Sequence, residues 1–435
     1  MEKHYKIQNL PKSTVHLNVS HNLIEYTSKR FFEYAKYLST LDLSFNRLTS
    51  ITVDTFNGLR KLRYLSLDNN KLVYNSHSFP RNTFRDLKSL SHLSLKNNNI
   101  RYDYCKPFPE DTIVDLSALE QLEMDACLCG DDFFGKGFHK LKKLKSLELR
   151  NNFRCALSKY TFKNTKYLQN VLLHGIGEIS FRKGTFRKLR YLEHLEMSFN
   201  SEKGGIVSPV ENIAEDFIHT SIETLKLGQS AIPLNTFPLY ILNKEMYKNN
   251  ITEICLTDNA GNAGHFPIPM GAPPPTLQIL DLSNNSLTRF LLDIKNITRL
   301  ILKQNLLGDF LSTKSYFEKK TDEYFSVIEI IDISQNDIKE LAPFTFDSQP
   351  FLKHIDLSNN KIQDITFDLS CLLALDFQNL SNNRIKYFNE SVMCIINTIV
   401  IHKQLTIDLS KNVLECTCKT IPFFTMDDRK QCFIC

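Results

Sequence analysis

The residue whose type and spacing say most about chemistry in this 435-residue chain is asparagine. Asn22, Asn46, Asn70, Asn98, Asn152, Asn200, Asn259, Asn285, Asn305, Asn336, Asn360, Asn383 and Asn412 all stand at one point of a recurring pattern. An amide both donates and accepts hydrogen bonds, so a repeated Asn can satisfy buried backbone groups that would be costly if unpaired. That is structural chemistry, and little else competes with it. Asp42, Asp281, Asp332, Asp356 and Asp408 form a second row. It could hold cations or a basic ligand; the plainer reading is a polar strand edge that keeps a sheet face soluble. His16, His92, His174, His194 and His354 recur at strand positions but are too dispersed for a metal centre. No nucleophile elbow, phosphate-cradling glycine loop, H-E-x-x-H or catalytic carboxylate set is found. The expectation is a non-enzyme with no catalytic residue, cofactor or metal.

The elements that position these residues follow from the pattern L-x-x-L-x-L-x-x-N, as in Leu38-x-x-Leu41-x-Leu43-x-x-Asn46. Units open at 14, 38, 62, 90, 119, 144, 168, 192, 222, 251, 277, 297, 328, 352, 375 and 404, with a mean period of 26. The pattern reads as a leucine-rich repeat. Its two central aliphatics point inward from a short strand and the intervening residues point outward. The predicted fold class is an α/β leucine-rich-repeat solenoid, a horseshoe with a parallel concave β-sheet and about 16 repeats. Phe56, Phe84, Phe162, Phe186 and Phe346 are expected to fill the interior opposite the strands. No unit buries its apolar edge alone, so stability comes from stacking on neighbours.

Residues 1–13 read as an N-terminal flank, 14–414 as the solenoid and 415–435 as a short C-terminal cysteine cap. Lys plus Arg exceed Asp plus Glu by 5, with the signs interspersed. Lys143, Lys145 and Arg150, near Lys163 and Lys166, come nearest to a basic stripe, so the balance argues against a nucleic-acid partner. The longest apolar run, Cys394 to Ile401, is too short to span a membrane, and Met1 to Leu10 has no signal core. Eleven cysteines, and sequons at Asn18, Asn250, Asn284, Asn296, Asn379 and Asn389, point to an extracellular or cell-surface setting.

The pattern weakens in the middle, where Cys127, Ile176 and Ser230 replace the Asn. The Pro-rich stretch Gly261 to Thr276 should leave the solenoid as a loop, and the insertion Gly308 to Ser326 is similarly open. Gln378 stands where an aliphatic belongs. Regular units spend their outward positions on repeated D-L-S edges, whereas the middle presents His174, Glu196, Phe199, Lys226, Gln229 and Lys303. Ligand contact is expected there; drift in a spacer is the alternative.

After the last repeat come Cys416 and Cys418, then Cys432 and Cys435. Four thiolates could bind zinc. A disulfide cap is favoured, because a solenoid end exposes an apolar face, with Cys416 and Cys418 pairing to Cys432 and Cys435. At least one disulfide is expected among Cys105, Cys127, Cys129 and Cys155, and buried thiols at Cys371 and Cys394. The repeat with its Phe, the degenerate middle and the Asn412-Val413-Leu414-Glu415-Cys416-Thr417-Cys418 entry resemble Toll-like receptor ectodomains over nearly the whole chain. The resemblance implies innate immune recognition of a protein or microbial-type ligand and a possible receptor dimer. The chain departs from the family in lacking a signal peptide, an N-terminal cysteine cap, a membrane span and a Toll/interleukin-receptor domain. It therefore reads as an ectodomain segment, an incomplete gene product or a soluble form, with no membrane insertion of its own. The rival readings are an extracellular adhesion or matrix-binding repeat protein and an intracellular repeat scaffold.

Overall fold

Each x-L-x-L-x stretch is a strand because alternation buries one side of a pleated chain and leaves the other to solvent. The computed structural model describes residues 10–27, 32, 34–98, 108–125, 133–150, 154–176, 178–199, 205–206, 215–228, 250–259, 273–290, 295–313, 327–347, 349–370, 372–388, 392, 396, 405–415 and 433–434. The chain divides into two units, Met1–Leu225 and Lys226–Cys435.

The first unit carries β1 (His16–Asn18), β2 (Thr40–Asp42), β3 (Tyr64–Ser66), β4 (His92–Leu95), β5 (Gln121–Asp125), β6 (Ser146–Arg150), β7 (Arg154–Leu157), β8 (Asn170–Ile176), β9 (Glu178–Phe181), β10 (His194–Phe199) and β11 (Gly205–Ile206). The next strand, β12 (Thr224–Gly228), runs across the boundary. Strands β1 to β6, β8 and β10 pair in parallel. Leu17, Leu41, Leu65, Leu93, Leu122, Leu147, Val171 and Leu195 lie in one register row. The second unit repeats the arrangement in β13 (Glu253–Cys255), β14 (Ile279–Asp281), β15 (Arg299–Ile301), β16 (Ile330–Asp332), β17 (His354–Asp356), β18 (Phe377–Asn379) and β19 (Thr406–Asp408). A strand thus begins two residues after every predicted opening position, and the fold is a leucine-rich-repeat solenoid. A short β20 (Phe433–Ile434) lies parallel to β19. The remainder of the predicted cap lies outside the described residues.

Asn46, Asn70, Asn259, Asn285, Asn305, Asn336, Asn360 and Asn383 of the Asn row are buried, and their amides bond the backbone of neighbouring turns. Asn360 Nδ2 donates to Ile333 O, Leu357 O and Ser358 O at 3.1, 2.9 and 3.3 Å, while its Oδ1 accepts from Asn336 N and Ile338 N at 2.8 and 3.1 Å. Asn46, Asn70, Asn305 and Asn336 repeat this pattern of reaching back to the preceding turn. Asn22 is exposed and bonds only within its own turn among the described contacts. Asn152 and Asn200 lie outside the described residues.

Two further slots of the repeat carry structural work. The residue before the ladder Asn is left-handed at His21, Phe45, Asn69, Asn97, Asp258, Asn284, Gln304, Gln335, Asn359, Asn382 and Lys411. That explains the frequent Asn there, the non-glycine residue that tolerates this region best. The Asp row has a different purpose from solubility alone. Asp42, Asp281, Asp332, Asp356 and Asp408 each accept from the backbone N–H two residues on, at 2.8–3.0 Å. These are Asx turns that close the strand end. Opposite the strands, Phe56, Phe84, Phe162, Phe186 and Phe346 are fully buried. Phe134, Phe162 and Phe186 stack at 5.9 and 5.7 Å from turn to turn.

Three local departures from the repeat stand out. Where Ile176 replaces the Asn, β8 runs on to that residue, and a second sheet of β7, β9 and β11 forms beyond it. The start of the insertion, Gly308–Thr313, is a helix, α2 (α1 being Glu110–Ile113), with Phe310 and Leu311 buried. Gln378 is fully buried, and neither its Oε1 nor its Nε2 has a hydrogen-bond partner among the described residues. Of the Pro-rich stretch, 261–272 lies outside the described residues.

Candidate functional site

The most developed polar arrangement on the outward sheet face sits on β3 to β5 of the first unit. Neighbouring strands place successive outward side chains about 5 Å apart, so residues distant in sequence meet. The Tyr64 and His92 rings lie 4.7 Å apart. His92 Nε2 is 3.1 Å from Glu123 Oε1, Gln121 Nε2 donates to the same oxygen at 2.8 Å, and Lys96 Nζ donates to Glu123 Oε2. Ser94 Oγ lies 2.6 Å from Asp68 Oδ1 and 3.1 Å from Glu123 Oε2. Its single proton serves the nearer oxygen. Asp68 Oδ1 also accepts from Lys96 N at 2.7 Å.

Electrostatics separate the two acids. Burial pushes the Asp68 carboxyl up, only partly offset by Ser94 and Lys96. Burial also acts to raise Glu123, but the hydrogen bonds and charges of His92 and Lys96 overcome it and hold the carboxyl at about 2. Because its folded value lies below the ordinary 4.5, Glu123 stabilises the fold fully above that pH and loses the contribution as pH falls toward 2. Glu123→Gln should therefore be less stable than the parent at pH 7, with the gap closing in acid. Urea midpoints at pH 7, 4 and 2.5 measure this; a pH-independent gap would refute the assignment.

Nothing in this cluster is an activated nucleophile. The free thiol of Cys255 on β13 is pushed up to about 12, first by burial and then by Glu253, so it stays protonated near neutrality. Among the described residues no His, Cys, Asp or Glu group has the grouping of a metal site. The arrangement fixes Lys96 and the Tyr64–His92 aromatic pair on the sheet face over the buried Glu123 and Ser94.

The residues singled out from sequence fall in both units. His174 on β8 is half-buried, with Nδ1 2.9 Å from Ser198 Oγ, and Glu196 on β10 lies in register with Leu172 of β8. Lys226 Nζ is 3.1 Å from Glu253 Oε1, and Lys303 is exposed after β15. The Phe199 side chain and Gln229 lie outside the described residues. Sequence reasoning missed Tyr64, Asp68, Ser94, Lys96 and Glu123. Their signal was the shared outward slots of units three to five.

Of the sequon residues, Asn18, Asn250 and Asn296 are exposed. Asn284 and Asn379 are half-buried and donate their amides to Asp258 and Asp356; Asn389 lies outside the described residues. So do Cys105, Cys127, Cys129, Cys371, Cys394, Cys416, Cys418, Cys432, Cys435 and the side chain of Cys155. No helix among the described residues is long and apolar enough to cross a membrane.

Comparison with known proteins agrees with the fold. Residues 12–72 and 326–385 match a leucine rich repeat family model, and 276–297 match a second leucine-rich-repeat model. The chain is 25% identical to human (Homo sapiens) CD180 antigen over 299 residues, covering 66% of this chain and 42% of that protein. It is 27% identical to Toll-like receptor 4 of Pinctada imbricata over 205 residues, 44% of this chain and 22% of the relative. It is 23% identical to transforming growth factor beta activator LRRC33 of Danio rerio over 279 residues, 58% and 39% respectively. The chain spans less than half the length of these relatives.

Proposed function

We propose that this chain, a leucine-rich-repeat protein similar to Toll-like receptor ectodomains, is a non-catalytic recognition module that binds a protein or microbial-type ligand outside the cell in innate immunity. The observation that carries the reading is the Tyr64–His92–Glu123–Lys96–Asp68 cluster, held in place on the outward sheet face. Groups fixed in this way lose little rotamer freedom on binding, which favours affinity and specificity over chemistry. The recognition face would run from β3 to β10 and take in His174 and Glu196. Lys226 and Lys303 offer the corresponding positions in the second unit. Glycans at the exposed Asn18, Asn250 and Asn296 suit a secreted or cell-surface setting.

The test is capture of the full chain on immobilised microbial lipids, microbial polysaccharides and receptor ectodomains, followed by Glu123→Gln, His92→Ala and His174→Ala. Loss of binding by at least about tenfold in the sheet-face variants, about 1.4 kcal/mol each, supports the reading. Undiminished binding in all three would move recognition off this face. The likeness to a growth-factor activator favours a second reading, an extracellular repeat protein that holds a soluble or matrix protein. Binding to such proteins but to no microbial material or receptor ectodomain would select it.

A further inference from the structure

The flank that leads into strands β6, β8 and β10 carries a concentration of positive charge that the recognition face does not use. Residues 133–191 hold 15 Lys and Arg against Glu148 and Glu178 alone, a net +13 in a chain whose total is +5. Three successive turns build this flank on one template. Leu141 N, Thr165 N and Leu189 N bond to Phe138 O, Phe162 O and Phe186 O at 3.0, 3.1 and 2.8 Å. Residues 24 apart are therefore equivalent and lie side by side. One row reads Lys142, Lys166, Arg190 and is exposed throughout; Lys140 and Lys188 sit at the ends of a second row, and both are exposed. Arg150 pairs with Glu148, and Lys183 pairs with Glu215. Acids border the patch on both sides, at Asp115 and Glu120 and at Glu193, Glu215 and Asp216.

We propose that this flank binds a sulfated polysaccharide. Rows of cations repeating about every 5 Å along a stack of turns match a linear polyanion that carries charge at short, regular intervals. Lysine dominates the exposed set, and a flexible point charge suits irregularly placed sulfates better than the planar forks that read nucleic acid. The aromatic faces that could stack on bases are already engaged. Lys166 Nζ lies 5.2 Å from the Tyr167 ring centre, Tyr167 stacks on Tyr191 at 6.3 Å, and Lys159 Nζ lies 5.0 Å from the Tyr160 ring centre.

The experiment is titration of the full chain with a heparin decasaccharide, its desulfated counterpart and single- and double-stranded RNA of matched charge, over a range of salt. Heparin should bind tightest, and removing sulfate should cost more than about tenfold. In Lys142→Gln/Lys166→Gln/Arg190→Gln the slope of log affinity against log salt should become shallower by about 3. Lys140→Gln/Lys188→Gln tests the same flank with a change of about 2. Lys353→Gln/Lys361→Gln/Lys386→Gln, with the same charge change in the second unit, should leave the slope intact. Tighter binding of either RNA would replace the proposal with a nucleic-acid surface. Equal losses in the control triple, or no loss in either flank variant, would overturn it.

Discussion

Asn360→Ala should destabilise the protein by about 3 kcal/mol, against no more than about 0.5 kcal/mol for the exposed Lys353→Ala. Alanine removes the acceptor of Asn336 N and Ile338 N and the donor to three carbonyls. It leaves two buried amide hydrogens unserved, each costing about 1–3 kcal/mol. Lys353 offers only a surface pair with Glu329 at 2.9 Å, of a kind that contributes little. Urea denaturation of the two variants measures the difference. Equal midpoints would mean that the ladder does not hold the turns together.

The opposite sign is expected at Gln378. Its side chain is fully buried between Ile355 and Ile407 in register, with no hydrogen-bond partner on either polar atom among the described residues. Gln378→Leu restores the aliphatic that other units place there and removes a desolvated amide. Stability should rise by about 1–3 kcal/mol. A loss in Gln378→Leu, seen in the same urea experiment, would show that the amide is satisfied in solution by a buried water or a neighbouring group.

Much of this architecture was legible because the repeat writes its geometry into residue types. The aliphatics of Leu38-x-x-Leu41-x-Leu43 and the Asn after them predicted strand, interior and ladder, and the structure places β2 and Asn46 accordingly. The Asx role of Asp42 was not legible, since a solvated edge and a turn-closing acceptor share the same residue. The cluster around Glu123 was hidden for another reason. Tyr64, His92 and Glu123 are separated by 28 and 31 residues, and only parallel stacking makes them neighbours. The same holds for Lys142, Lys166 and Arg190, whose charges look interspersed along the chain and form a row only across turns. Stacking distance, not sequence distance, decides both sites.

The direction of the amide ladder has a consequence for how the chain is made. Asn46 Oδ1 closes the turn at Ile24, and Asn70 Oδ1 closes the turn at Leu48, in each case 22 residues earlier. A newly emerged repeat is thus left open until its successor leaves the ribosome. At roughly 5–20 residues per second that wait is about 1–4 s. Structure would advance behind synthesis by one repeat, with the youngest turn always the unfinished one. A stall in translation deep in the array, once several repeats have stacked, would expose a single open turn to chaperones and proteases, not a wholly unfolded domain.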